Sequence, residues 1–200
     1  PELWMGVTGE TRIITDYVFE NGITTIPLEF HPYESFIITF SGDQDRQSLP
    51  SNEDKNFYSL IDKLSIEGSW KVSFDPKWGG PKEIKFDHLM DWTQHEERGI
   101  KYYSGIANYQ KNFTIQGLDK TGKYFIDLGV VNDMARVKLN GQDIGVIWCA
   151  PWRIDISEAL QEGENILEIE VANRWVNRLV GDRQAPDANV RTVKFENGLM

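Results

Sequence analysis

The sequence predicts an all-β, antiparallel β-sandwich of jelly-roll type, preceded by a small N-terminal β segment. Three observations predict it. Apolar residues alternate with polar or small ones at period two in one segment after another, Gly and Asn-Gly signals separate those segments, and no helical period runs far enough to organise a domain.

In chain order, Thr11 to Glu20, Thr24 to Phe30 and Ser35 to Ser41 read as three strands; in the second, Ile26, Leu28 and Phe30 alternate with Thr25, Pro27 and Glu29. Three strands are too few to close a sandwich. They are expected to complete a neighbouring sheet or to pack against the second unit, and to show an apolar patch where that neighbour is missing. The stretch from Ser41 to Asn56 is polar, with Pro50 near its middle, and reads as a linker. The expected division is therefore residues 1–42 as the β segment, 43–64 as a linker with a short helix over Asn52 to Leu64, and 65–200 as the sandwich.

From Ser65 onward there are eight or nine strand candidates, enough for a complete jelly roll. Alternation recurs at Ile66, Trp70, Val72 and Phe74, at Ala107, Tyr109, Phe113 and Ile115, at Ala135, Val137 and Leu139, and at Leu167, Ile169 and Val171. Asn140-Gly141 is the sharpest local signal. A two-residue hairpin turn needs positive φ at both central positions, which Asn and Gly tolerate best, so it should join Arg136–Leu139 to Asp143–Trp148. Short helical turns are expected at Asp87–Trp92 and at Ser157–Leu160, the latter capped from Asp155.

Composition excludes several functions. The chain has 200 residues, enough to bury a real core without staples, and Cys149 is its single cysteine, so no intrachain disulfide and no thiolate-pair zinc site can form. A net charge of −10 disfavours nucleic acid and anionic membrane as partners, because phosphate binding needs clustered Lys and Arg. No apolar run approaches a spanning helix, and Pro1 to Gly6 lack the plan of a signal peptide. A start at Pro1 without methionine suggests an excised or processed piece.

Seven tryptophans are many for this length, and a flat indole face suits the C–H face of a pyranose. Trp70 and Trp148 stand on the apolar phase of their strands and read as core. Trp78, Trp92, Trp152 and Trp175 fall in expected loops, where sugar stacking competes with packing between domains. His31, His88 and His95 lack metal-ligand spacing, and Asp43 and Asp45 begin a calcium-loop pattern without its Gly and terminal Glu, so no metal and no cofactor is indicated. Tyr103-Ser104-Gly105 is not a nucleophile elbow. Trp78-Gly79-Gly80-Pro81 reads as a tight turn, since Pro81 removes a donor where a phosphate would need one. The many carboxylates say nothing of the paired placement a glycosidase requires. No catalytic residue is assigned.

A family likeness emerges from the series Gly68-Ser-Trp70-Lys-Val72-Ser-Phe74, Tyr103 to Phe113, Asp127-Leu-Gly129, Ala135 to Gly141, Gly145 to Pro151, and Gly163 to Leu167 with Val171-Ala-Asn173. It resembles the sugar-binding jelly roll of glycoside hydrolase family 2. More narrowly, Trp78-Gly-Gly-Pro81, Asp91-Trp92 and Asn173-Arg-Trp175-Val-Asn177-Arg178-Leu-Val-Gly181-Asp182 resemble the C-terminal region of family 106 α-L-rhamnosidases, and Leu3-Trp4, Thr8-Gly9, Ile26-Pro27-Leu28 and Glu34-Ser35-Phe36 resemble the β segment joining that region to the catalytic barrel. The resemblance implies a galactose-binding-like sandwich beside a catalytic (β/α) barrel of the same parent chain, in a periplasmic or secreted enzyme acting on plant polysaccharide side chains. The implied function is that of a non-catalytic accessory domain, with an autonomous carbohydrate-binding module or a ligand-free packing module as alternatives. Carbohydrate contact would fall to Trp78, Trp92, Trp152, Asn173, Trp175, Asn177 and Arg178.

Overall fold

The computed structural model describes residues 1–40, 56–57, 59–61 and 64–184. It divides into two compact units, Pro1–Ser65 and Ile66–Met200. The expected linker and helix at 43–64 and the Asp43/Asp45 pattern lie largely or wholly outside the described residues; Asn56, Phe57, residues 59–61 and Leu64, which are described, are not helical.

In the first unit, β1 (Glu2–Met5) is flanked by β2 (Thr11–Ile13) and β5 (Phe36–Thr39), both antiparallel. A separate hairpin pairs β3 (Val18–Glu20) with β4 (Ile23–Thr25). The expected single strand from Thr11 to Glu20 is instead two strands, interrupted over residues 14–17, and Asn21-Gly22, with φ of 52° and 78°, turns the chain from β3 into β4. The expected strand to Phe30 stops at Thr25, two residues before Pro27, which has no N–H to offer a ladder. Trp4 pairs with Ile37, and Glu2 with Ile13, so Trp4, Ile13 and Ile37 share one sheet face; their exposures of 46%, 58% and 63% form the expected apolar patch.

The second unit is an all-β, antiparallel sandwich. Its larger sheet has the order β11-β10-β13-β8-β6-β7, built from β6 (Trp70–Ser73), β7 (Ile84–Phe86), β8 (Ile106–Ile115), β10 (Met134–Leu139), β11 (Gln142–Ile147) and β13 (Gly163–Ala172). A two-stranded ladder of β9 (Phe125–Asp127) and β12 (Arg153–Asp155) contributes to the opposing layer. The long central pair, β8 with β13, runs unbroken from Gly163 opposite Ile115 to Ala172 opposite Ile106. Alternation then puts Val72, Tyr109, Ile169 and Val137 in one cross-strand row, and all four are buried. The opposing side of the same core is closed by Ile126, Ile156, Ala159 and Leu160. Asn140-Gly141, at φ of 53° and 79°, makes the expected hairpin between β10 and β11.

Trp148 departs from expectation. A bulge between Val137 and Lys138 leaves Ile144 without a partner residue and sets Gly145 opposite Val137, so the inward phase continues through Ile147 and Trp148 faces solvent, 56% exposed. The helical turns also differ in detail. Asp91 caps a single 3-10 turn beginning at Trp92, not before it, whereas Asp155 accepts from the Ser157 amide and hydroxyl as the sequence suggested. Two helices were unanticipated: α1 (Arg98–Lys101) and α2 (Val176–Gln184).

An aromatic cluster of Phe74, Phe86, Trp92, Tyr103 and Tyr109 fills one end of the core, with ring centroids 4.9–6.3 Å apart. Trp92 donates its indole N–H to the Tyr109 hydroxyl. Burial pushes the Tyr109 phenol up from 10.0 to about 12, against a smaller opposing effect of the Trp92 hydrogen bond. A phenol harder to ionise in the folded state stabilises that state fully below the unfolded value near 10, and the contribution is lost as pH rises through about 12. Denaturant titrations are therefore expected to show stability falling as pH rises between about 10 and 12, a fall that Tyr109→Phe should reduce.

Candidate binding site at the helix following the last strand

The loop after β6 is fixed by steric close approach. Asp75 caps the 3-10 turn Pro76–Trp78 by accepting from the Lys77 amide, and Gly79 ends that turn at φ 85°. A Cβ on Gly80 would lie 2.4 Å from Phe74 Cβ, and one on Gly99 would lie 2.3 Å from the Gly79 carbonyl oxygen. Backbone is thereby pressed on core, and Trp78 is turned outward, 45% exposed.

The end of β13 leads to the same place. Asn173 donates to the Tyr103 carbonyl at 2.9 Å and accepts from the Gly105 amide at 3.0 Å, so its amide binds the chain rather than facing a ligand. Ser104 then serves the start of α2: its hydroxyl donates to the Arg174 carbonyl and accepts from the Arg178 amide, satisfying a donor the helix itself leaves open. Further along, Gly181 admits Tyr102, whose Cβ would be 2.6 Å from any added methyl, and the Tyr102 hydroxyl donates to Gln184.

Arg178 occupies the centre of this arrangement. Its Nε pairs with Asp182 at 3.1 Å, its Nη1 points at the Trp78 carbonyl at 3.4 Å, and Nη2 is buried with no hydrogen-bond partner among the described residues. Above it, Trp78 and Trp175 meet edge to face with centroids 6.3 Å apart, and Trp175 is 61% exposed. Two exposed indoles can hold a flat apolar face, while the buried Arg178 guanidinium supports the loop that carries Trp78.

Of the seven residues singled out from sequence, the structure brings Trp78, Trp175 and Arg178 together, with Asn173 and half-buried Asn177 on the adjoining chain. Trp92 is core, 7% exposed, and offers no face for stacking. Trp152 is on another loop, between β11 and β12, where it packs partly against the core and its carbonyl accepts from Leu128. Ser104, Tyr102, Gly181 and Asp182 were not singled out as site residues, although a serine five residues ahead of a buried strand position gives no cue that it will cap a helix 70 residues later.

A second, open depression of about 800 Å³ crosses β6, β7 and β8, lined by polar side chains including Lys71, Glu83, Gln110 and Asn112; within it Lys71 and Glu83 pair at 2.8 Å. Among the described residues no cluster of three or more His, Cys, Asp or Glu could hold a metal ion. No described helix is long and apolar enough to cross a membrane.

Comparison with known proteins agrees with this architecture. The solved rhamnosidase of Novosphingobium sp. PP1Y is 35% identical, superposes with a TM-score of 0.78 and covers 94% of this chain, which spans 17% of that one. A Formosa agariphila protein named "Putative beta-glucuronidase" is 39% identical over 130 residues, 64% of this chain and 11% of that protein. Residues 91–197 match the family described as glycosyl hydrolase 2 galactose-binding domain-like, more than half of the chain, and the chain belongs to that family.

Proposed function

We propose that this chain is a non-catalytic accessory portion of a longer glycoside hydrolase, an α-L-rhamnosidase acting on plant polysaccharide side chains outside the cytoplasm, with the catalytic barrel supplied by another part of the same polypeptide. One observation carries the reading: both units align in order within a single rhamnosidase chain at 35% identity, yet make up only 17% of its length. The sandwich would shape or support the substrate cleft while the acid and base carboxylates reside in the barrel.

The test uses the longer polypeptide. It is expected to release nitrophenol from nitrophenyl α-L-rhamnoside, and to keep turnover within a few-fold when carboxylates among residues 66–184 are replaced by their amides. An enzyme inactive on the rhamnoside would overturn the substrate, and activity abolished by one of these replacements would overturn the accessory role.

The exposed Trp78/Trp175 pair favours a second reading, an autonomous carbohydrate-binding module. Calorimetry of the 200-residue chain against rhamnose- and galactose-containing oligosaccharides separates the two. Saturable heat that Trp175→Ala removes would favour the module, and no heat at millimolar ligand would eliminate it.

A further inference from the structure

Helix α2 is amphipathic in the inverted sense. Arg178, Gly181 and Asp182 lie along one face, and that face is the one turned to the domain: the Arg178 and Asp182 side chains are 12% and 16% exposed, and Gly181 is buried against Tyr102. Val176, Leu179 and Val180, spaced i, i+3 and i+4, lie along the other face and are 61%, 51% and 41% exposed, and exposed Arg183, four residues after Leu179, stands on that face in the last turn. Trp175 and Trp78 extend that apolar strip at its N-terminal end. A surface helix ordinarily buries its aliphatic stripe and shows its charges, so this helix is arranged to have its outer face covered.

We infer that the outward face of α2, with Trp175 and Trp78, is the docking surface for a folded domain of the same longer polypeptide; the inference rests on the accessory reading above. Two features choose this occupant. Branched aliphatic side chains give a sugar nothing to stack on, whereas an aromatic pair and an arginine are residue types of protein–protein hot spots, around which an aliphatic strip adds area that excludes water. The superposable rhamnosidase devotes 17% of its chain to this region, so most of such a polypeptide lies outside it and is tethered to it. The partner surface is accordingly apolar, with a carboxylate placed for exposed Arg183.

Hydrogen exchange of residues 176–184 in the 200-residue chain and in the longer polypeptide tests this, with Leu179→Asp and Val180→Asp made in both. The amides are expected to exchange at least about tenfold more slowly in the longer polypeptide, and each aspartate is expected to restore fast exchange there while leaving the thermal midpoint of the 200-residue chain within about 2 °C. Equal exchange in the two proteins would overturn the inference. So would protection in the 200-residue chain alone, whether produced by self-association that Leu179→Asp abolishes or by an added rhamno-oligosaccharide. Protection in a longer polypeptide that hydrolyses no glycoside would uphold the docking surface and sink the accessory reading instead.

Discussion

Truncating Trp92 to alanine is expected to cost about 3–5 kcal/mol of unfolding free energy, while Trp175→Ala is expected to change it by less than about 0.5 kcal/mol. The two tryptophans flank the same fold and look alike in sequence. Their environments do not: Trp92 is 7% exposed, packs edge-on against Phe74 and Tyr103, and donates to Tyr109, whereas Trp175 is 61% exposed. Removing Trp92 takes away a buried ring and leaves the Tyr109 hydroxyl without its donor; removing Trp175 takes away a surface. Urea unfolding followed by far-UV circular dichroism measures both, and comparable losses for the two variants would contradict the assignment of Trp92 to the core.

Replacement of Asn165 by leucine is expected to cost about 3 kcal/mol or more even though the branched heavy-atom skeleton is kept. Asn165 is fully buried, and its Oδ1 accepts from Asn140 Nδ2 and the Gln161 amide while its Nδ2 donates to the carbonyls of Gln161 and Gly163. Asn140 in turn accepts from the Ile166 amide and donates to the Ala159 carbonyl. One side chain thus ties the turn between β10 and β11 to the entry of β13. An apolar substitute leaves several buried donors and acceptors unpaired, each costing about 1–3 kcal/mol unless water enters. A loss below about 1 kcal/mol would show that the network is dispensable.

The larger sheet was legible because its signals are local. Residues 106–115 and 163–172 alternate strictly enough to fix both strands and their inward faces, and Asn140-Gly141 has a backbone requirement few other dipeptides meet. Asn21-Gly22 carries the same requirement and falls in the gap between two strand candidates, whereas the break at residues 14–17, within Thr11 to Glu20, has no such signal. Trp148 was misplaced because a bulge, invisible in the alternation, changes which phase points inward. The site was less legible for a related reason. Asn173 is spent on Tyr103 and Gly105, and Trp92 on Tyr109, through partners 17 to 70 residues distant, and no residue type announces such a contact in advance. Helix α2 had a readable period, Val176, Leu179 and Val180 against Arg178, Gly181 and Asp182, but a stripe predicts only that one face is covered. That the covered face is the charged one follows from Tyr102 and Ser104, supplied by the corner between α1 and β8.

The central claim is that these residues form a sandwich whose chemistry resides in a neighbouring part of the polypeptide. The direct measurement is a turnover assay of the purified 200-residue chain on a panel of nitrophenyl glycosides that includes the α-L-rhamnoside. The account predicts no release above the uncatalysed rate at any pH between about 4 and 8, where glycosidase carboxylates titrate into their working pair. Turnover that disappears when a single aspartate or glutamate of this chain is replaced would contradict it.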